Sequence, residues 1–97
     1  MPYIKQEDRD KYDPILRELR NKIVENCKTT EEVPGALNYC ITVLILSSIN
    51  KKFGKIKYHL ICMIDGVLTN VGREIYRRIS VKYEDKKINE NGDLKEF

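Results

Sequence analysis

Tryptophan is absent, histidine occurs once, and cysteine and proline occur three times each. Each shortage closes a route to function. Cys27, Cys40 and Cys62 are odd in number and widely spaced, which gives neither a disulfide framework nor a zinc site. Cys40 and Cys62 stand in apolar runs and read as small core residues, which points to a reducing cytosol. The lone His59 lies three residues before Cys62, but that cysteine sits on an apolar helix face, so thiol catalysis has no local support. Glycine-rich phosphate loops and paired-carboxylate signatures are missing too. The chain is therefore expected not to be an enzyme and to need no cofactor or metal.

Charge of one sign is also scarce. Eighteen basic residues against fifteen acidic ones leave a net charge of +3. A dedicated nucleic-acid binder shows a stronger excess or a clear basic stripe, so nucleic acid is not the expected partner. A small anionic ligand needs only two or three local cations. The first residues carry no apolar signal core. The most apolar stretch, Ala36 to Ile49, reads as too short for a bilayer and contains Asn38, Thr42, Ser47 and Ser48. The expectations are a cytoplasmic protein and no membrane partner.

What is present is helical periodicity in a chain of 97 residues, one domain's worth. Asp13-Pro14 makes a helix start, with Asp as N-cap and Pro at the first helical position. Ile15, Leu16, Leu19 and Ile23 then form one apolar stripe, so a first helix is predicted from Pro14 to Cys27. Lys28 to Gly35 reads as a connection, where Thr29 or Thr30 with Glu31 and Glu32 has the makings of a helical turn. Residues 36–50 are apolar almost all round. Their β-branched content suits a buried strand, but the length favours a helix.

After a lysine-rich connection from Asn50 to Lys57, the apolar residues Leu60, Ile64, Val67, Leu68, Val71, Ile75 and Ile79 predict a third helix reaching Tyr83. Its span is roughly 39 Å, against roughly 21–24 Å for each of the first two. Neither shorter helix covers its apolar face, which leaves part of that face for a second copy. Gly66 and Gly72 within it permit close approach of a backbone or a ligand, or mark a break. The architecture expected is all-α: a small single three-helix domain over residues 1–97, with a long third helix. An irregular N-terminal arm (1–12) and a polar C-terminal tail (84–97) flank it, and the whole is expected to be homo-oligomeric.

Three basic groups are candidates for a site. Lys51, Lys52, Lys55 and Lys57 surround a loop and read as a solvated turn. Lys82, Lys86 and Lys87 alternate with Glu84, Asp85 and Glu90, the pattern of a salt-bridged segment. Arg73, Tyr76 and Arg77, at i, i+3 and i+4, share a helix face. Two guanidinium forks and a phenol suit phosphate and base-stacking contacts. The plain alternative is a solvated face paired to Glu74. Six tyrosines are many for this length. Asn38-Tyr39 offers an amide and a phenol for a pocket rim, and Tyr83 marks the junction with the polar tail.

Three strings carry a resemblance: Pro2-Tyr3-Ile4-Lys5-Gln6-Glu7-Asp8-Arg9, Gly35-Ala36-Leu37-Asn38-Tyr39, and Tyr83-Glu84-Asp85-Lys86-Lys87-Ile88-Asn89-Glu90-Asn91-Gly92-Asp93. Across nearly the whole chain they resemble a family of short uncharacterised proteins of phages, bacteria and archaea. The resemblance implies domain limits and no catalytic residues. In size, self-association and mild positive charge the chain is also similar to small oligomeric phage proteins that sequester nucleotide-derived immune signals. That likeness implies a non-enzymatic binding protein for a small phosphorylated ligand, a cyclic nucleotide or an ADP-ribose derivative. The expected ligand-binding residues are Arg73, Tyr76, Arg77, Asn38 and Tyr39, with Lys5, Arg9, Tyr83 and Lys86 from the termini closing over the ligand. A protein-interaction module, an inhibitor or adaptor, is the alternative; nucleic-acid binding through the Lys51–Lys57 loop is the weaker one.

Overall fold

The computed structural model describes residues 3–97. Met1 and Pro2, at the head of the predicted arm, lie outside the described residues. Every regular element among the described residues is helical, which makes residues 39–46 helix and not strand. The four α-helices are α1 (Asp13–Asn26), α2 (Glu32–Phe53), α3 (Tyr58–Ile75) and α4 (Val81–Asn91). They fall into two units, Met1–Ile56 and Lys57–Phe97.

In the first unit the predicted irregular arm is instead coiled. A 3-10 helix runs from Gln6 to Lys11, tied by the Lys11–Asp8 ion pair at 3.1 Å. This coil changes how α1 begins. Asp13 was expected to be an extended N-cap; it is the first helical residue, and the cap position belongs to Tyr12 with φ −117° and ψ −33°. The Tyr12 N–H donates to the Arg9 carbonyl, and the Tyr12 carbonyl accepts from Leu16. The chain arrives already wound, so no extended cap is needed. The Asp13 carboxylate instead lies 4.0 Å from Arg17, one turn on.

The expected connection to α2 shrinks to residues 27–31. The Glu32 carboxylate reaches back to accept from the Lys28 N–H at 2.6 Å and the Thr29 N–H at 3.3 Å. These two donors would otherwise lack partners at a helix start. Pro34 falls in the first turn, where its missing N–H costs nothing. α2 therefore begins four residues before the apolar run. It ends at Gly54, whose φ of 87° turns the chain out while its N–H donates to the Asn50 carbonyl at 2.9 Å.

α1 and α2 pack on one another. Val33, Ala36 and Cys40 form a half-buried row near the start of α2, and Ile49 is buried near its end. Leu37, Ile41 and Leu44 on one side, and Tyr39, Val43, Leu46 and Phe53 on the other, remain exposed. At 22 residues, α2 is long and apolar enough to cross a membrane by length and composition alone.

The second unit is a single helical rod. Lys57 is extended, and its carbonyl accepts from Leu60 and Ile61 to start α3. Neither Gly66 nor Gly72 breaks the helix, and a Cβ at either would meet nothing within 4 Å. α3 passes into a π turn over Tyr76–Ser80 and on into α4 with helical dihedrals throughout. The rod thus reaches Asn91, beyond the predicted end at Tyr83, roughly 50 Å in all. The segment expected as a tail is helical, and one ion pair lies along its axis, with Lys87 3.1 Å from Glu90. Gly92, with φ 88°, ends it at the Asn-Gly-Asp turn signal.

Candidate functional site

The arginine cluster sits where α3 becomes the π turn. A π turn holds about 4.4 residues in place of the α-helical 3.6. The extra width places Arg77 almost directly above Arg73, roughly 6 Å along the axis, while Tyr76, at i+3, stays to one side of that line as in any helix. The same widening stacks Arg78 over Glu74. Glu74 is half-buried, and its Oε1 accepts from Arg77 Nη2 at 2.8 Å and from Arg78 Nε. Burial pushes the Glu74 carboxyl up. The hydrogen bond from Arg78, with the charges of Arg77 and Arg78, outweighs that and holds it below the usual glutamate value.

The ion-pair alternative for this face is thus present, and it is incomplete. One carboxylate pairs with two guanidiniums, and with Arg73 the segment 73–78 carries an excess of two positive charges. Arg73 has no ion pair among the described residues. Tyr76 is exposed. This turn is able to present planar N–H forks to phosphate oxygens.

Further along the same rod, Tyr83 lines an open cavity of about 500 Å³ with Lys87, Ile88, Leu94 and Phe97. The Lys87 ammonium lies 5.7 Å from the centre of the Tyr83 ring, within cation–π reach. Lys86, singled out in the sequence, is exposed and does not line this cavity; its neighbour Lys87 does. The missed signal was the pair of apolar residues Leu94 and Phe97 in an otherwise polar segment.

In the first unit Arg9 lines a second open cavity, of about 540 Å³, with Tyr3, Ile4, Tyr12, Asp13 and Leu16. Both volumes fall in the range of small-ligand pockets. Lys5 stands just before the 3-10 helix, exposed and outside this lining. Tyr3 and Tyr12, one from each side of that helix, supply the aromatic walls that sequence reasoning did not assign. Asn38 and Tyr39 lie two turns into α2. Asn38 Oδ1 accepts from Thr42 Oγ1 at 3.3 Å, and Tyr39 is exposed. Neither lines the Arg9 cavity. The nine predicted residues therefore divide between the units: Lys5, Arg9, Asn38 and Tyr39 in the first, Arg73, Tyr76, Arg77, Tyr83 and Lys86 in the second.

Cys62 was expected in the core and is exposed, because it faces away from the row that buries Leu60. His59 and Asp65 are also exposed. Among the described residues no three His, Cys, Asp or Glu side chains cluster to hold a metal.

A family model described as a domain of unknown function, DUF6899, matches residues 1–94. The chain belongs to the DUF6899 family. The resemblance carried by the terminal strings thus stands at the level of an uncharacterised family. The match covers both cavities except Phe97, and all of the arginine turn. No curated protein and no solved structure matches the chain.

Proposed function

We propose that this DUF6899 protein is a non-enzymatic binding protein that acts as a homo-oligomer and takes a small phosphorylated ligand of nucleotide type. The observation that carries the reading is the excess of positive charge at Arg73, Arg77 and Arg78 around the single Glu74 carboxylate. Guanidinium forks bind phosphate in a planar, bidentate manner, and the neighbouring Tyr76 ring offers a stacking surface for a base. One face of one rod encloses nothing, so a second copy supplies the opposing wall. The ligand class is a cyclic nucleotide or an ADP-ribose derivative. The role is that of a phage sponge that sequesters such an immune signal in the host cytoplasm.

Native mass spectrometry of the gently purified protein with a panel of cyclic nucleotides and ADP-ribose isomers tests this. A defined oligomer that gains whole ligand masses supports the reading and identifies the molecule. An oligomer that stays bare across the panel contradicts it. A second reading, an inhibitor or adaptor that binds another protein, is favoured by the exposed Leu37, Ile41 and Leu44 of α2. A pull-down from host lysate distinguishes the two.

A further inference from the structure

The chain exposes 9028 Å². Two compact bodies of the sizes of the two units, even fully apart, would together expose about 7,000 Å². The difference, about 2,000 Å² per chain, exceeds the roughly 800 Å² that each partner contributes to a standard stable interface. This surface is apolar along one line. Val67, Val71, Ile75, Ile79 and Tyr83 follow one another on the rod, and each is more than half exposed, from 51% at Val71 to 64% at Ile79.

The π turn falls within the spacing of that line. From Val67 onward the residues recur every four positions. In an α-helix a four-residue step overshoots a full turn by about 40°, so Ile79 and Tyr83 would drift off the face set by Val67 and Val71. Across the five residues of Tyr76–Ser80 the wider turn cancels the overshoot and brings both back into line. A π turn is rare and departs from the better α-helical hydrogen-bond pattern. In the lone chain the Glu74 pairs with Arg77 and Arg78 lie across it, but the apolar side chains it aligns stay exposed there.

We propose that a second copy of this chain packs along the Val67–Val71–Ile75–Ile79–Tyr83 stripe, and that the π turn keeps the stripe straight for it. Charge favours a copy over a lipid surface. Between Tyr58 and Asn91 six basic residues stand against five acidic ones, a balance that complements itself and offers little attraction to anionic headgroups. This surface deepens the homo-oligomer part of the proposed function, and its test needs no ligand. A bare panel and a failed interface are therefore separate results.

The test is light-scattering mass across a dilution series of the full chain, for the native protein and for Val71→Glu, Ile75→Glu and Thr69→Glu. Thr69 lies on the opposite side of the rod. The expected result is an oligomer whose mass falls at least twofold in the first two variants and is unchanged in the third. Should the glutamate variants lose helix by circular dichroism, amide exchange of the native protein decides: residues 71–83 gain protection as concentration rises. The proposal is overturned if the glutamate variants keep the native mass and helicity. It is equally overturned if exchange across 71–83 is independent of concentration, or if a monomer partitions into neutral phosphatidylcholine vesicles through this stripe.

Discussion

Arg77 donates through Nη2 to Glu74 Oε1 at 2.8 Å, and Arg78, one residue further, reaches the same oxygen. Two cations on one carboxylate oxygen leave Glu74 an incomplete neutraliser of the turn. Because the folded-state carboxyl is held below its ordinary value, its contribution to stability is present above the unfolded value of about 4.3 and is lost as pH falls through the folded one. Glu74→Gln removes that contribution. Thermal melts followed by circular dichroism should show native stability falling on acidification into this range, with a smaller fall in the variant. An equal fall in both would mean that Glu74 does not carry the acid response.

The arginine face should govern ligand affinity. Each charge-assisted hydrogen bond to phosphate contributes about 1.5–3 kcal/mol, so Arg73→Ala should weaken binding by roughly 10- to 100-fold. Tyr76→Ala combined with Arg77→Ala should abolish it, with helicity retained. Calorimetric titration with the ligand found by mass spectrometry measures both. Unchanged affinity in the double variant would remove these residues from the site.

Glycine substitutions should divide by position. Gly54 turns the end of α2 at φ 87°, a conformation that disfavours a Cβ, so Gly54→Ala should destabilise by about 1–2 kcal/mol. Gly66 and Gly72 stand in open helix, so alanine there should stabilise by about 1 kcal/mol. Chemical denaturation of the three variants checks the signs. A loss at Gly72 would reveal a backbone from another copy pressed against it.

Glu32→Ala removes the acceptor for the Lys28 and Thr29 N–H groups. It should cost about 1 kcal/mol, the usual effect of a lost helix cap. Glu31→Ala, for which no such bond is present, serves as the control in the same denaturation series.

Much of this was legible in the residues. Asp13-Pro14 and Gly54 marked helix ends within a few positions, because they act through local backbone chemistry. The continuous apolar length of 36–50 decided for helix over strand. The π turn was not read, because the apolar spacing over Leu60–Ile79 is equally that of an unbroken α-helix. The helical tail was missed because apolar residues are sparse in it and no 3.6-residue stripe marks it; the Lys87–Glu90 pair lies along its axis. At the site, the Arg73–Arg77 alignment followed from spacing. The two cavities depend on where Tyr3, Tyr12, Leu94 and Phe97 fold back, which is tertiary information.

The central claim is that a chain with only Ile49 and Leu60 as buried hydrophobic residues among those described completes its core with further copies of itself. Sedimentation equilibrium of the native protein measures this most directly. A mass at a whole multiple of 11.4 kDa, dissociating only on strong dilution, is the predicted result. A helical monomer at every concentration would contradict it.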